Sequence, residues 1–140
     1  MASWINDVQS KIFTIVSYKG KKEYQDKFPN IFYTTDVLGD GKTHYPTIYL
    51  KFLPSNEMGR SFDVDEISAY RCSIQIEVTV SNDDTQGMTV GQDIIWFTIQ
   101  TLQKYGFMIT TTPEDVTMDS SNRRYVARVE RVFGAGDYIG

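Results

Sequence analysis

The sequence holds one cysteine, Cys72, and one histidine, His44, and that scarcity excludes several chemistries. A lone cysteine cannot form a disulfide within the chain, and with one histidine it makes no Cys/His cluster for a tetrahedral zinc site. Long apolar runs are also missing. In MASWINDVQSKIFTIV the apolar residues are interrupted by Asn6, Asp7, Gln9, Ser10 and Lys11, unlike a secretory leader or a spanning helix. No Asn-x-Ser/Thr acceptor occurs, and the expectation is a cytosolic product of a reducing compartment. Basic charge is in deficit: 14 Lys and Arg against 18 Asp and Glu leave a formal net charge of -4. That balance argues against a general nucleic-acid binder, whose affinity comes largely from cations on phosphates. What is present is ordinary for a folded domain. The 140 residues, 41% hydrophobic and 23% charged, fit one domain spanning 1–140. A domain of that size buries roughly two-thirds of its unfolded surface.

Trp4, Val8, Ile12 and Val16 step by four, so the first element is a helix, with Ser3 as N-cap and Asp7 in its first turn. It is expected to end between Ser17 and Gly20. A long connection over about 19–45 follows, opened by the mostly basic KGKKEYQDK and broken at Phe28-Pro29, with Ile31 to Thr35 as a short strand or linker. TIYLKFL, Thr47 to Leu53, alternates as a strand with Ile48, Leu50 and Phe52 on one face. Residues 55–68 are polar and read as an exposed loop or the tip of a long hairpin. Tyr70 to Val80 is the clearest strand, with Cys72, Ile74, Ile76, Val78 and Val80 facing one way and Arg71, Ser73, Gln75, Glu77 and Thr79 the other. A slip of one residue would bury Arg71 and Glu77, which pins the register.

SNDDTQG reads as a turn, and a second helix runs from about Met88 to Tyr105 with Gly106 as its left-handed cap and Phe107 folding back. Phe107 to Thr112 is a strand expected to stop at Pro113, followed by a loop over 113–122. Arg123 to Val132 is the last strand, with Tyr125, Ala127 and Val129 on one face, and 133–140 is a Gly-rich tail. Helix, two strands, helix, two strands implies an α+β domain. Its antiparallel or mixed sheet has about four strands, with both helices packed on one face.

The motifs that tempt a catalytic reading are weak. GDGKT, Gly39 to Thr43, resembles the end of a phosphate-binding loop, but Asp36 stands where a glycine is required and a strand follows instead of a helix. Asp63, Asp65 and Glu66 lack the glycine turn and terminal glutamate of a calcium loop, and Asp83 and Asp84 fail the same pattern. Cys72 on an apolar strand face reads as a buried thiol, and His44 as a turn histidine without a paired acid. No metal or cofactor site is expected, and no catalytic pair is marked out.

One pattern stands out. Arg123, Arg124, Arg128 and Arg131 concentrate in one strand of an acidic protein. They read either as a solvated sheet face paired to acids such as Glu77 or as a basic face for an acidic surface of another copy or a partner. The tail, with Phe133, Tyr138 and Ile139, reads as docking within an assembly, which makes Tyr138 a further candidate contact.

Taken in order, YPTIYLKFLP, then AYRCSIQIEVTVSND, then a helix ending in Tyr105-Gly106-Phe107, then Arg123-Arg124-Tyr125-Val126-Ala127-Arg128-Val129 resembles a known family. The layout is similar to the tail terminator (tail completion) proteins of long-tailed bacteriophages, including the related minor capsid proteins of phages of Gram-positive hosts. The resemblance covers nearly the whole chain in order and spacing, and the long connection before Tyr45 departs from the shorter members. It implies a structural virion protein, not an enzyme, with no cofactor. Copies would form a hexameric ring capping the head-proximal end of the tail tube, stop tube polymerisation and offer the surface for the neck. The implied partners are the tail tube protein and a neck or head-completion protein, with DNA passing through the ring without sequence-specific binding. The implied location is the head–tail junction, reached from the host cytoplasm during assembly. Ring closure needs unlike faces to meet, and the Arg-bearing strand against Asp63, Asp65 and Glu66 is the expected contact. Another head–tail connector, such as a head-closure or minor capsid protein, a non-viral small-ligand-binding α+β domain and a hydrolase with an unmarked carboxylate site are the alternatives.

Overall fold

Apolar residues at helical spacing open the chain with helix α1, Ser3–Tyr24. Strands β1 (Phe32–Thr34), β2 (Thr47–Leu53), β3 (Met58–Arg60) and β4 (Ile67–Ser81) follow. Helix α2, Met88–Gln103, then precedes β5 (Met108–Asp115) and β6 (Asn122–Gly134). The structure is a computed structural model and describes residues 3–29, 31–35, 46–54, 58–60, 67–81, 88–117 and 122–134. The strands make one mixed sheet in the order β1-β2-β4-β6-β5, with β3 pairing β4 beyond the end of β2. Among the described residues, only the β1–β2 pair is parallel.

The alternation in β4 sets the two faces of this sheet. Cys72, Ile74, Ile76, Val78 and Val80 are all fully buried, and register places Ile48, Leu50, Tyr125, Ala127 and Val129 beside them. Both helices cover this face. Gln9 Nε2 of α1 donates to Tyr70 Oη at 2.9 Å, and the Trp4 ring meets Tyr70 edge-on at 6.5 Å. On α2, Gly91 lies so close to Tyr125 that a Cβ there would stand 2.6 Å from its ring. Val8, Ile12 and Val16 join Ile94, Ile95, Ile99 and Leu102 over the strands in one core. Full burial of each such aliphatic side chain is worth roughly 1.5–3 kcal/mol. The fold is therefore a single-domain α+β fold, with two helices on a sheet somewhat larger than the four strands expected.

The end of α2 follows its sequence. Gly106 has φ of 90°, a conformation open to glycine, and there Gly106 N donates to Gln103 O at 3.0 Å and Phe107 N to Leu102 O at 3.2 Å. Phe107 and Leu102 are both buried, the apolar contact that accompanies this cap.

Several boundaries differ from expectation. Helix α1 begins at Ser3 itself, places Asp7 beyond the first turn, and continues through Lys19–Tyr24 where a connection is expected. Tertiary contacts carry it past Gly20: the Tyr24 ring packs edge-on against Phe97 at 5.4 Å, and Tyr24 Oη donates to Asp93 O at 3.3 Å. Lys21 and Lys22 in its last turn also favour the negative end of the helix dipole. The stretch 55–68 includes β3 and the start of β4. Pro113 does not stop β5, because that strand is at the sheet edge and is bulged between Ile109 and Thr111 and again between Thr111 and Glu114. Phe133 and Gly134, expected in the tail, complete β6. The GDGKT segment, His44, Asp83 and Asp84 lie outside the described residues.

Candidate interaction surface

Among the described residues no helix packs on the second face of the sheet, and the register assigns its occupants. In β4 they are Arg71, Ser73, Gln75, Glu77 and Thr79; in β2, Thr47, Tyr49, Lys51 and Leu53; in β6, Arg124, Val126, Arg128, Glu130 and Val132. The four arginines do not share it. Arg124 and Arg128 lie on this open face, whereas Arg123 stands beside Val80 and Arg131 beside Cys72, on the helix side at opposite ends of β6. Strand parity makes this unavoidable, since odd and even positions of a regular strand point oppositely.

The open-face pair belongs to a cross-strand network. Arg128 donates through Nε and Nη2 to Gln75 Oε1 at 3.1 and 2.9 Å, and Gln75 Nε2 donates to Glu77 Oε2 at 2.9 Å. Arg124 Nη2 closes it on Glu77 Oε1. Glu77, which one-residue slippage was expected to bury, is already only 7% exposed, and its charge is met by Arg124 and Gln75. Arg124 is paired to Glu77 as the expectation of a paired face has it, but Glu77 is buried, not solvated. The Arg124 side chain is 43% exposed, so the pair sits between the surface and buried regimes. Arg124→Ala is expected to cost about 1 kcal/mol. A double-mutant cycle with Glu77→Gln in urea unfolding checks it, and strictly additive effects would remove the network from the list of stabilising features.

The helix-side arginines have structural work. Arg131 Nη1 donates to Tyr105 O at 2.6 Å, satisfying a carbonyl at the end of α2, and its guanidinium stacks 4.1 Å from the Phe133 ring centroid. Arg123 Nη1 reaches Asp115 Oδ2 at 3.3 Å, tying β6 to β5. Hydrogen bonds from Thr117, including its backbone N at 2.9 Å, and then the charge of Arg123 hold the Asp115 carboxyl below its ordinary pKa.

Cys72 is buried, and burial pushes its thiol up to about 12 against the smaller opposing pull of Tyr70 and Arg131. Iodoacetamide at mildly alkaline pH is expected to leave it unlabelled in the native protein and to label it after unfolding, read by mass spectrometry. Native labelling at the unfolded rate would contradict a core thiol.

Asp63, Asp65, Glu66 and Tyr138 lie outside the described residues. Among the described residues no group of three or more His, Cys, Asp and Glu side chains is placed to hold a metal ion, and no helix is long and apolar enough to cross a membrane. Sequence reasoning passed over two features of this surface. The alternation puts Gln75 on the polar face but carries no sign of its bridge to Arg128, fifty-three residues away, and the expected strand Phe107 to Thr112 carries no sign of its place at the edge. The run MITTT was the available signal. Compared with known protein families and with curated proteins, the chain matches no family model and no curated relative.

Proposed function

We propose that this protein is a structural virion component, a phage tail terminator. Its copies form a hexameric ring on the head-proximal end of the tail tube, halt tube polymerisation and present the surface that the neck joins. The observation that carries this reading is a sheet with helices on one side only among the described residues, a polar second face, and an edge strand whose first five residues, Met108–Thr112, carry no charge. Such surfaces suit protein–protein contact, and the order of elements is the one on which the family resemblance rests. In this reading the protein acts through its surfaces and catalyses nothing. Its partners are its own copies, the tube protein and a neck or head-completion protein, and DNA passes through the ring without a sequence-specific grip. It resides at the head–tail junction and, before assembly, in the host cytoplasm.

Negative-stain imaging of the purified protein, followed by pull-down on isolated tail tubes and on filled heads, tests this. Sixfold rings that bind tubes are the expected result. Binding to heads alone would replace the terminator by a head-closure role, and a strict monomer at high concentration would overturn the ring.

A further inference from the structure

We propose that the outward ridge of α2 docks on the same ridge of a second copy of this chain, the two helices packing antiparallel about a twofold axis. The inference goes beyond the ring reading and does not rest on it, because a contact between like faces closes on itself as a pair.

A helix that covers a sheet and faces water ordinarily carries charge on its outer side. Helix α1 does so, with six charged residues among its 22. Helix α2 carries one, Asp93, among its 16. Its inner side is taken by Ile94, Ile95, Thr98, Ile99 and Leu102, all buried. Its outer side is made of Gln92, Asp93, Trp96, Gln100 and Gln103, all exposed. Trp96 stands at the middle of that side and is 39% exposed. An exposed indole among uncharged amides, with charge kept to the margin, is the composition of a protein–protein contact, where tryptophan is enriched and charge is depleted at the centre.

Spacing identifies the partner. Residues eleven apart on a helix lie about three turns from each other and within about 20° of one azimuth. Lys104, also exposed, continues the turn beyond Gln103, since its N donates to Gln100 O at 3.2 Å. Asp93 and Lys104 therefore line one flank of the ridge, Gln92 and Gln103 the other, with Trp96 and Gln100 along the crest. An antiparallel contact about a twofold axis sets each flank against the same flank of the second copy, with the order of residues reversed. With the axis level with Thr98 and Ile99, Asp93 faces Lys104 of the second copy, Gln92 faces its Gln103, and Trp96 faces its Gln100. Each of these contacts occurs twice. The charges are opposite, and the glutamine amides both donate and accept. One surface thus complements itself in charge and in hydrogen bonding, which selects a second copy over an acidic or a basic partner.

Sedimentation velocity on the full chain tests this. The wild-type protein is expected to pass from monomer to dimer with rising concentration. Trp96→Ala should raise the dissociation constant at least about tenfold. Asp93→Lys and Lys104→Glu should each raise it about fivefold, because each sets like charges together at two places. The two charge variants mixed in equal amounts should associate to within about twofold of wild type, since opposite charges then meet again between unlike copies. Repair of one chain's own folding cannot produce that recovery. A wild type that stays monomeric, or that forms only sixfold rings indifferent to Trp96→Ala, would overturn the proposal. So would a mixture no tighter than either variant alone. Should Trp96→Ala fail to fold, the charge variants, both at exposed positions, still decide. Pairs without rings would sustain the α2 contact and remove the ring.

Discussion

Phe133→Ala is expected to destabilise the protein by about 3–5 kcal/mol, the range for truncating a fully buried aromatic. Phe133 is 0% exposed and lies opposite Tyr70 in the β4–β6 register. Its ring meets Phe107 at 5.9 Å in a T-shaped contact, and the Arg131 guanidinium covers it at 4.1 Å. The truncation thus removes apolar burial and leaves a cavity. It also takes the platform from the arginine that holds Tyr105 O at the end of α2. Phe133→Leu retains most of the volume and should cost less, about 1–2 kcal/mol. Urea midpoints at constant m-value give both numbers. A loss below about 1 kcal/mol for Phe133→Ala would mean that this end of the core is not packed as described.

The second large effect reverses the usual sign of a helix substitution. Gly20 lies inside α1, where alanine ordinarily improves a helix by about 1 kcal/mol. At this position an added Cβ would stand 1.6 Å from Tyr33 Oη and 2.3 Å from its Cζ. Tyr33 is buried, so its ring has little room to retreat, and overpacking of this kind costs about 1–3 kcal/mol, more when severe. Gly20→Ala should therefore be destabilising by about 2 kcal/mol net. Adding Tyr33→Phe should recover little, since Cζ still overlaps, whereas adding Tyr33→Val should recover most of the Gly20→Ala penalty. Thermal unfolding of the single and double variants checks this. Stabilisation by Gly20→Ala would show that α1 does not lie on β1 in this way.

Where alternation or capping is local, the residues announce their structure. The five inward residues from Cys72 to Val80, the apolar face of α2 and the Gly106 cap are each settled by spacing and backbone freedom within a few residues. What escaped depends on distant partners. Helix α1 passes Gly20 because Tyr24 finds Phe97 and Asp93 some seventy residues later, and the same glycine makes room for Tyr33. β5 runs through Pro113 because among the described residues no strand pairs its outer side, so a missing N–H costs no ladder bond there.

The candidate surface divides the same way. Parity alone already placed Arg124 and Arg128 opposite Tyr125, Ala127 and Val129, yet four arginines close in sequence looked like one basic patch. Only pairing with β4 and β5 separates them into a network on Glu77 and Gln75, a cap for α2 and a tie to Asp115. By itself the sequence determined the α+β class, the inward face of each main strand and the shortage of metal-ligating and thiol chemistry. The tertiary structure alone decided which strand lies at the edge and which charges are already matched. Strand order and charge pairing are set by contacts between residues far apart in the chain, and local spacing carries no record of them.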